Sequence, residues 1–596
     1  MISADSRTSS LDLALVGNGA IGALIDAKGD IVWCCFPRFD GDPVLCSLLQ
    51  GDAPAGKPAT FAVELQGLVR TEQEYVADTP ILLTRCHDAS GAVIEITDFA
   101  PRFENDGKLF CPMMLVRQVR AVAGKPTISI RLNPSERYGC RAREHVLGGT
   151  EITYGGEIPL KLTTNAPTVS IVEGAPFQLK ETVTLIFGAN QPVEGDVAST
   201  ATRMHHQTLE HWRIWVRSLK APAEWRDAVV RAAITLQLNV FEETGAIIAA
   251  MTTSIPEAPN SGRTWDYRYC WPRDAWFVVD ALSRLGDLRT TPRYLRFLLG
   301  VADQSDDSRL RPIYSIDGAP VPEERTEECL SGYRGMGPVR VGNGARDQLQ
   351  HDIYGEAVLT AEPMFLSRIS GARADEKVFQ RLEKFGEHAV RLFEVPDAGL
   401  WELRGIERVH TFSSLMCWAA CDRLSRYADS IELGARAETW RARASRIREA
   451  IERRSWNESI GAYTAAMEGD TLDASLLLMP QLGFLKGDDP RFVGTVAAIE
   501  RDLRHGDFVY RYVERDHLGH PENAFLVCTF WYIAALSEMG RRNEAKELFE
   551  KVLLTRNRHG LLAEDLDPDT REQWGNFVQT YGMAGIIDCA LRLGET

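Results

Sequence analysis

The stretch Leu472-Asp473-Ala474-Ser475-Leu476-Leu477-Leu478-Met479 is an almost uncharged helical candidate, whereas the candidate before it, residues 434–454, is rich in arginine and glutamate. A helix that is apolar on every side is buried, and a helix with a charged face lies against solvent. The same alternation runs through all the candidates in which apolar residues recur three and four positions apart. These twelve span residues 223–243, 273–286, 290–304, 352–370, 375–394, 411–427, 434–454, 471–482, 489–503, 523–539, 542–555 and 573–593.

Helices of alternating character predict an inner and an outer ring, as in a closed (α/α)6 barrel made of six helical hairpins. A helical solenoid is the alternative. It is less favoured because the sequence has no repeat of fixed period, which a solenoid requires.

The first 200 residues have a different pattern, with short alternating runs such as residues 92–97 and 182–187 between turn sequences. This pattern is typical of half-buried strands and predicts an antiparallel β-sandwich. Helical spacing begins near residue 205, where Trp212, Trp215 and Val216 lie on one face. The sequence therefore predicts a multi-domain β + α protein. Its parts are an N-terminal antiparallel β-sandwich over residues 1–204, a helical linker over 205–222 and the barrel over 223–596.

Charge and composition exclude several classes of partner. The 596 residues include 67 Lys+Arg and 83 Asp+Glu, a net charge of −16, which argues against nucleic acid or an acidic membrane surface. Residues Met1–Arg7 lack the apolar run of a secretion signal, and no uncharged apolar stretch of roughly 18 residues occurs. A cytoplasmic location is the default expectation. Oligomeric state stays open, with a homo-oligomer possible.

Twelve cysteines are too few for a disulfide scaffold in a chain of this length, and we expect reduced thiols in the core. Cys417 and Cys421 are four residues apart, but no second pair stands at zinc spacing. We therefore expect no metal site and no cofactor.

The motif Gly17-Asn18-Gly19-Ala20-Ile21-Gly22 has the spacing of a dinucleotide-binding fingerprint. That fingerprint must open a long helix whose N-terminus holds the phosphates. Here residues 23–26 lead directly into the turn at residues 27–30 and a new strand. We therefore interpret the segment as a β-hairpin and reject nucleotide binding.

The richest chemical cluster is residues 265–274, which contain four aromatic residues, two arginines and two aspartates just before a helix. Aromatic faces stack on sugar rings, while Arg and Asp make directed hydrogen bonds to hydroxyl groups. A structural Arg–Asp pair under an aromatic lid is an equally good interpretation of this segment alone.

Two glutamates lie in loops suited to acid–base chemistry. Glu402 is flanked by Trp401 and Leu403, which would raise its pKa by desolvation, and Glu564 follows an apolar run. The plainer interpretation of Glu402 is a surface glutamate paired with Arg404. The plainer interpretation of Glu564 is that it belongs to an acidic run before a helix that starts near Gln573. Inverting glycoside hydrolysis needs one protonated and one ionised carboxyl on opposite faces of the bond, and these two glutamates would meet that need.

Taken together, the sequence resembles glycoside hydrolase family 15, the family of glucoamylases, glucodextranases and prokaryotic trehalases, and within it the bacterial trehalase-type branch. The similarity spans nearly the whole chain. It is carried by the ordered motifs at residues 17–19, 30–33, 37–40, 265–271, 338–343, 399–402, 472–475, 510–512 and 575–577.

The resemblance implies an N-terminal β-sandwich, an (α/α)6 barrel and inverting release of glucose from a non-reducing α-glucosyl end. It implies that Glu402 is the general acid and Glu564 the general base. Asp565 and Asp567 stand in the same acidic run and are the alternative candidates for the base. The expected substrate-binding residues are Tyr267, Trp271, Arg273, Asp274, Arg340, Asn343, Gln350, Asp352, Trp401, Arg404 and Arg511. Val578, where the family usually carries proline, and Pro272 depart from the family pattern near residues that decide specificity.

The best single substrate expectation is α,α-trehalose, with a glucoamylase-like or isomaltose- or dextrin-directed α-glucosidase as the alternative. A disaccharide phosphorylase is less favoured because it needs a phosphate site and only one catalytic carboxyl. A non-catalytic sugar-binding protein would require loss of Glu402 or Glu564, and both are present. The irregular segment 305–350 is long enough to be functional, and its shape would set the preference beyond the first glucose.

Overall fold

The computed structural model of the protein describes residues 9–51, 57–366 and 374–594. The N-terminal segment Met1–Arg7 and the last residues of the helical candidate 352–370 lie outside these ranges. The predicted fold class is confirmed: two antiparallel sheets are followed by a helical barrel.

The N-terminal sheets contain seven and eight strands, and every pairing in them is antiparallel. In spatial order, the first sheet is Ala14–Gly17, Gly22–Ile25, Ile31–Phe36, Phe61–Leu65, Thr127–Leu132 and Phe177–Gln178, with Asp42–Leu45 paired to Ile31–Phe36. The second is His145–Leu147, Glu151–Tyr154, Leu160–Thr164, Val183–Ala189, Met114–Ala123, Val93–Phe99, Leu82–Asp88 and Leu68–Tyr75.

The two sheets bury one core of their own. Phe187 of the second sheet meets Phe36 and Phe61 of the first edge to face, with ring centroids 5.8 and 6.0 Å apart. Arg117 is fully buried in this core and pairs with Asp98 at 2.7 Å. The pair avoids the free-energy cost of an unpaired buried charge.

The glycine motif forms the expected hairpin. Strands Ala14–Gly17 and Gly22–Ile25 pair directly, with Gly17 opposite Gly22. In the turn, the Asn18 amide donates to the carbonyls of Pro101 and Pro112 at 3.0 and 2.8 Å. The segment therefore anchors the hairpin to a neighbouring loop, and no helix follows it.

A long helix, Val197–Ser218, connects the sandwich to the barrel and begins eight residues before the predicted start of the linker. Asp196 caps it by accepting a hydrogen bond from the amide of Ser199 at 2.8 Å. Trp212 and Val216 on its inner face are buried, as their spacing predicts.

The barrel has the two predicted rings, and the inner ring closes because its first and last helices pack together. The inner helices are Pro272–Arg284, Ile353–Leu359, Thr411–Ser430, the 3-10 segment Ala474–Leu478 with Met479–Leu482, Leu526–Glu538 and Thr580–Gly594. The outer helices are Arg226–Leu238, Thr290–Ala302, Glu376–Leu392, Gly434–Arg454, Pro490–Asp502 and Arg542–Leu553. Two short helices, Thr168–Glu173 and Glu362–Leu366, lie outside both rings.

The final helix begins at Thr580, so the prediction of a helix from about Gln573 is wrong. Gln573–Trp574 instead forms a strand beside Asp565–Leu566, which pairs with Ala524–Phe525. This small sheet holds Glu564 at the start of a strand rather than at a helix N-terminus. The remaining short strand pairs are Phe103–Asn105 with Lys108–Phe110, Ser135–Glu136 with Arg141–Ala142, Arg325–Thr326 with Arg340–Val341, Trp456–Asn457 with Ala462–Tyr463 and Arg504–His505 with Phe508–Val509.

The expectation that all cysteines are reduced is wrong for one pair. Cys140 in the sandwich and Cys329 in the long segment before Ile353 form a disulfide. The pairing was invisible in the sequence because 189 residues separate the two cysteines. The other ten are free thiols, nine of them buried as expected.

Candidate active site

A cleft opens at the N-terminal ends of the inner helices. Its walls come from segments that lead into those helices: Trp271 precedes Pro272–Arg284, Glu402 precedes Thr411–Ser430, and Gln579 precedes Thr580–Gly594. Because each inner helix starts at this rim, residues far apart in the sequence meet here.

Nine of the thirteen expected site residues line this cleft, namely Tyr267, Trp271, Arg273, Asp274, Asn343, Trp401, Glu402, Arg404 and Arg511. The other four are not part of the lining but contact residues that are: Glu564 accepts from Tyr267, Gln350 and Asp352 accept from Arg273, and Arg340 lies over the ring of Trp265.

Glu564 is 1% exposed and is reached through Tyr267. The Tyr267 hydroxyl donates to Oε1 of Glu564 at 2.6 Å, and the amide of Asn576 donates to Oε2 at 3.4 Å. Gly575 has φ of +76°, and a Cβ there would lie 2.7 Å from the Cβ of Glu564, so only glycine fits beside this carboxyl.

Burial and the nearby Glu257 carboxylate raise the pKa of Glu564 to about 8, although the Tyr267 hydroxyl and Arg511 lower it. Burial and Glu257 thus favour the protonated form of this carboxyl, while Tyr267 and Arg511 favour the ionised form that a general base needs. A carboxylate with a pKa near the working pH is a strong proton acceptor once it ionises.

The rival acids occupy different surroundings. Asp565 is also buried, which raises its pKa well above the usual range, and its side chain lies next to Gly575. Asp567 is used in a turn, where its Oδ1 accepts from the amides of Asp569 and Thr570 at 2.9 and 3.1 Å. Glu564 alone of the three is bonded to Tyr267 of the cleft wall.

The carboxyl of Glu402 faces polar donors. Trp271 Nε1 donates to its Oε1 at 2.6 Å, while Arg273 and Gln350 donate to the same oxygen at 3.3 Å each. The backbone of Glu402 is left-handed, with φ of +58°, a strained conformation that is concentrated at functional sites.

The Glu402 carboxyl therefore has polar partners that its apolar sequence neighbours did not indicate. Trp401 and Leu403 line the same cleft, and the indole N–H of Trp401 donates to Oδ2 of Asp473 at 2.8 Å.

The segment does contain a structural Arg–Asp pair, formed by the fully buried Arg268 and Asp266 at 2.8 Å, but Arg273 has partners from elsewhere. It donates to Gln350 at 2.9 Å and to Asp352 at 3.0 Å, besides its contact with Glu402. Asp274 lines the cleft, and burial raises its pKa to about 7 despite the adjacent guanidinium. The network holds Arg273 in place and leaves Asp274 facing the cleft.

Further charged pairs complete the rim. Arg511 contacts Glu257, whose Oε1 accepts from the indole N–H of Trp265 at 2.9 Å. Arg263 makes a two-fold contact with Asp516, at 2.7 and 2.8 Å.

The rim beyond these pairs comes from the long segment. Asn343 caps a short 3-10 turn by accepting from the amide of Ala345 at 2.9 Å, and Arg404 pairs with Glu324.

Sequence reasoning missed ten polar or aromatic residues of the wall: Glu257, Arg263, Trp265, Gln348, Tyr512, Asp516, His517, Phe525, Gln579 and Tyr581. Trp265 and Tyr512 belong to the motifs at residues 265–271 and 510–512, which were the available signal for them. Glu257 lies in an irregular stretch with no such signal.

Over residues 9–51, 57–366 and 374–594, no group of three metal-ligating side chains could hold an ion. In the same ranges, no helix combines the length and apolar character needed to cross a membrane.

An aromatic cleft with paired carboxyl groups at the rim of an (α/α)6 barrel is a glycosidase-type site. The chain belongs to the glycosyl hydrolases family 15, whose model matches residues 223–591. A second model, for the trehalase-like N-terminal domain, matches residues 4–183. The protein is thus a glycoside hydrolase, as expected from its motifs.

The relatives support the same class over nearly their whole length. The trehalase of Thermoplasma volcanium is 30% identical, with 97% of this chain and 93% of that protein covered. The trehalase of Mycobacterium tuberculosis is 31% identical, with 98% and 89% covered. A bacterial glucoamylase complexed with acarbose shares the fold, with a TM-score of 0.68, 13% identity and 99% of this chain and 94% of that chain covered.

Proposed function

We propose that this glycoside hydrolase splits α,α-trehalose, acting on a non-reducing α-glucosyl unit with inversion at the attacked carbon. The trehalase relatives and the trehalase-like N-terminal domain support this substrate. The observation that carries the mechanism is the arrangement of two carboxyl groups around one aromatic pair. Trp271 donates to Glu402, Tyr267 donates to Glu564, and the two rings lie 5.4 Å apart.

In this proposal Glu402 is the general acid and Glu564 the general base. Glu402 gives its proton to the glycosidic oxygen as the bond breaks, and Glu564 takes a proton from the water that attacks the opposite face of the sugar. Inversion requires room for that water, so the two carboxyl groups should be about 6.5–9.5 Å apart in the substrate complex.

The first glucose would lie against Tyr267 and Trp271, with Asp274 and Arg511 bonded to its hydroxyl groups. Gln350 and Asp352 would act through Arg273, which they hold at 2.9 and 3.0 Å. The second glucose would face Trp265, Asn343 and Arg404, which line the rest of the cleft.

A side-by-side assay tests the substrate and the mechanism. Purified enzyme is given trehalose, maltose, isomaltose and soluble starch, with and without inorganic phosphate, alongside the folded variants Glu402→Gln and Glu564→Gln. We expect trehalose to have the highest kcat/KM, no requirement for phosphate, and loss of turnover in both variants. Faster release from starch, formation of a glucosyl phosphate, or normal turnover in either variant would contradict the proposal.

The division into residues 1–204, 205–222 and 223–596 and the cytoplasmic location belong to the same proposal. The Cys140–Cys329 disulfide counts against the cytoplasmic part of this proposal, because disulfides are typical of oxidising compartments. Thiol counting on enzyme rapidly alkylated in cell extract tests the location: a cytoplasmic enzyme should present both cysteines reduced, and a quantitative disulfide would place it elsewhere.

A further inference from the structure

Glu324 lies in the long segment between helices Thr290–Ala302 and Ile353–Leu359 and binds two arginines. Arg340 belongs to the same segment, and Arg404 comes from the loop before helix Thr411–Ser430. Oε1 and Oε2 of Glu324 accept from the two terminal nitrogens of Arg404 at 2.9 and 2.6 Å. Oε1 also accepts from Arg340 at 3.2 Å, and Oε2 from the amide of Gly344 at 3.0 Å. One carboxylate therefore fixes two guanidinium groups.

Both guanidinium groups lie against the same aromatic ring. The guanidinium carbon of Arg404 is 4.5 Å from the ring centroid of Trp265, and that of Arg340 is 5.3 Å away. Without a shared anion, two neighbouring cations would repel each other and spread apart. Glu324 removes that repulsion and gives Arg404 one orientation at the cleft wall.

We propose that Glu324 is the positioning residue for the second sugar: it orients Arg404 and Arg340 over Trp265 and so sets the preference for a short α-glucoside. This inference rests on the proposed function. Glu324 is 16% exposed and does not belong to the cleft lining, whereas Arg404 and Trp265 do. It therefore acts through Arg404 and not by touching the substrate.

The segment that carries Glu324 is anchored at two places directly after it, which makes it a firm support. Its neighbours Arg325–Thr326 pair with the strand Arg340–Val341. Cys329, five residues further on, is joined to Cys140 of the sandwich. Burial alone would raise the pKa of Glu324, but hydrogen bonds from Arg404 and Gly344 outweigh it and lower the pKa, so the carboxylate stays charged.

The test compares two substrates that differ only beyond the first glucose. α-D-Glucosyl fluoride has the same glucosyl unit as trehalose but no second sugar. In Glu324→Gln we expect KM for trehalose to rise about tenfold with little change in kcat, because uniform binding of the second sugar is lost. Kinetics on the fluoride should stay within twofold of wild type. Glu323→Gln, an exposed neighbour, is the matched control and should change neither substrate.

Arg404→Met provides a second route to the same conclusion. It should show the same selective loss on trehalose, and the double variant Glu324→Gln, Arg404→Met should be no worse than Arg404→Met alone, because the two residues act as one unit. The melting temperature of every variant, compared with that of wild type, establishes independently of activity that each preparation is folded. Equal losses on both substrates, no loss on either, or additive effects in the double variant would overturn the role of Glu324. A wild-type enzyme that cleaves neither substrate would instead refute the proposed function.

Discussion

The hydroxyl of Tyr267 donates to Oε1 of Glu564 at 2.6 Å and is the link between this buried carboxyl and the substrate cleft. A hydrogen bond to the charged form of an acid favours ionisation, and here it lowers a pKa that burial and Glu257 raise. Tyr267 thereby brings the base closer to ionisation at the pH where the enzyme works.

Replacing Tyr267 should move the pH dependence of catalysis in a known direction. The base is active when ionised, so kcat/KM falls as the pH drops through the pKa of Glu564. In Tyr267→Phe that pKa rises, and the acidic limb of the kcat/KM profile should shift to higher pH. A profile identical to wild type would show that Glu564 does not control the acidic limb.

Glu257→Gln should shift the acidic limb of the kcat/KM profile in the direction opposite to that expected for Tyr267→Phe. The Glu257 carboxylate raises the pKa of Glu564, and its removal also leaves Arg511 free to stabilise the ionised form. The acidic limb should therefore move to lower pH, measured on trehalose at fixed ionic strength. A shift to higher pH in this variant would contradict the electrostatic account of the site.

Glu402→Gln should reduce kcat on trehalose by roughly 10²–10⁴-fold, the usual contribution of a general acid, while the fold is kept. Fluoride is a good leaving group that needs little protonation, so hydrolysis of α-glucosyl fluoride should be affected much less. Equal losses on both substrates would mean that Glu402 has another role.

Asp274→Asn should lower kcat/KM by roughly 10- to 100-fold, the size expected for a lost charge-assisted hydrogen bond to a substrate hydroxyl. The melting temperature should change little, because Arg273 is held by Gln350, Asp352 and Glu402. A marked loss of thermal stability with normal kinetics in the folded fraction would assign Asp274 a structural role.

Removing the disulfide tests how the two domains support each other. The double variant Cys140→Ser, Cys329→Ser loses a cross-link that spans 189 residues, which is worth roughly 2–5 kcal/mol in a stable fold. We expect a lower melting temperature and the same change from treatment of the wild type with reductant. An unchanged melting temperature would show that packing alone fixes the long segment.

Much of the fold could be predicted because its signals are local. Alternating strands, helical spacing after residue 205 and the contrast between residues 434–454 and 472–479 each report burial directly. The predictions failed where a boundary depends on tertiary contacts, as at Gln573, which joins a strand beside Asp565–Leu566.

The site was predictable only as far as its motifs extended. Glu257 and Glu324 lie in irregular segments, and their importance comes from arginines that the fold brings from elsewhere, Arg511 and Arg404. The polar partners of the Glu402 carboxyl could not be predicted, because Trp271, Arg273 and Gln350 come from segments far from it in the sequence.

Proton NMR of the first products formed from α,α-trehalose, recorded before mutarotation, tests the central claim most directly. Attack by water activated at Glu564 inverts the attacked carbon, while the leaving glucose keeps its configuration. The account predicts equal initial amounts of β- and α-glucose, whereas α-glucose alone would show retention and contradict the paired roles of Glu402 and Glu564.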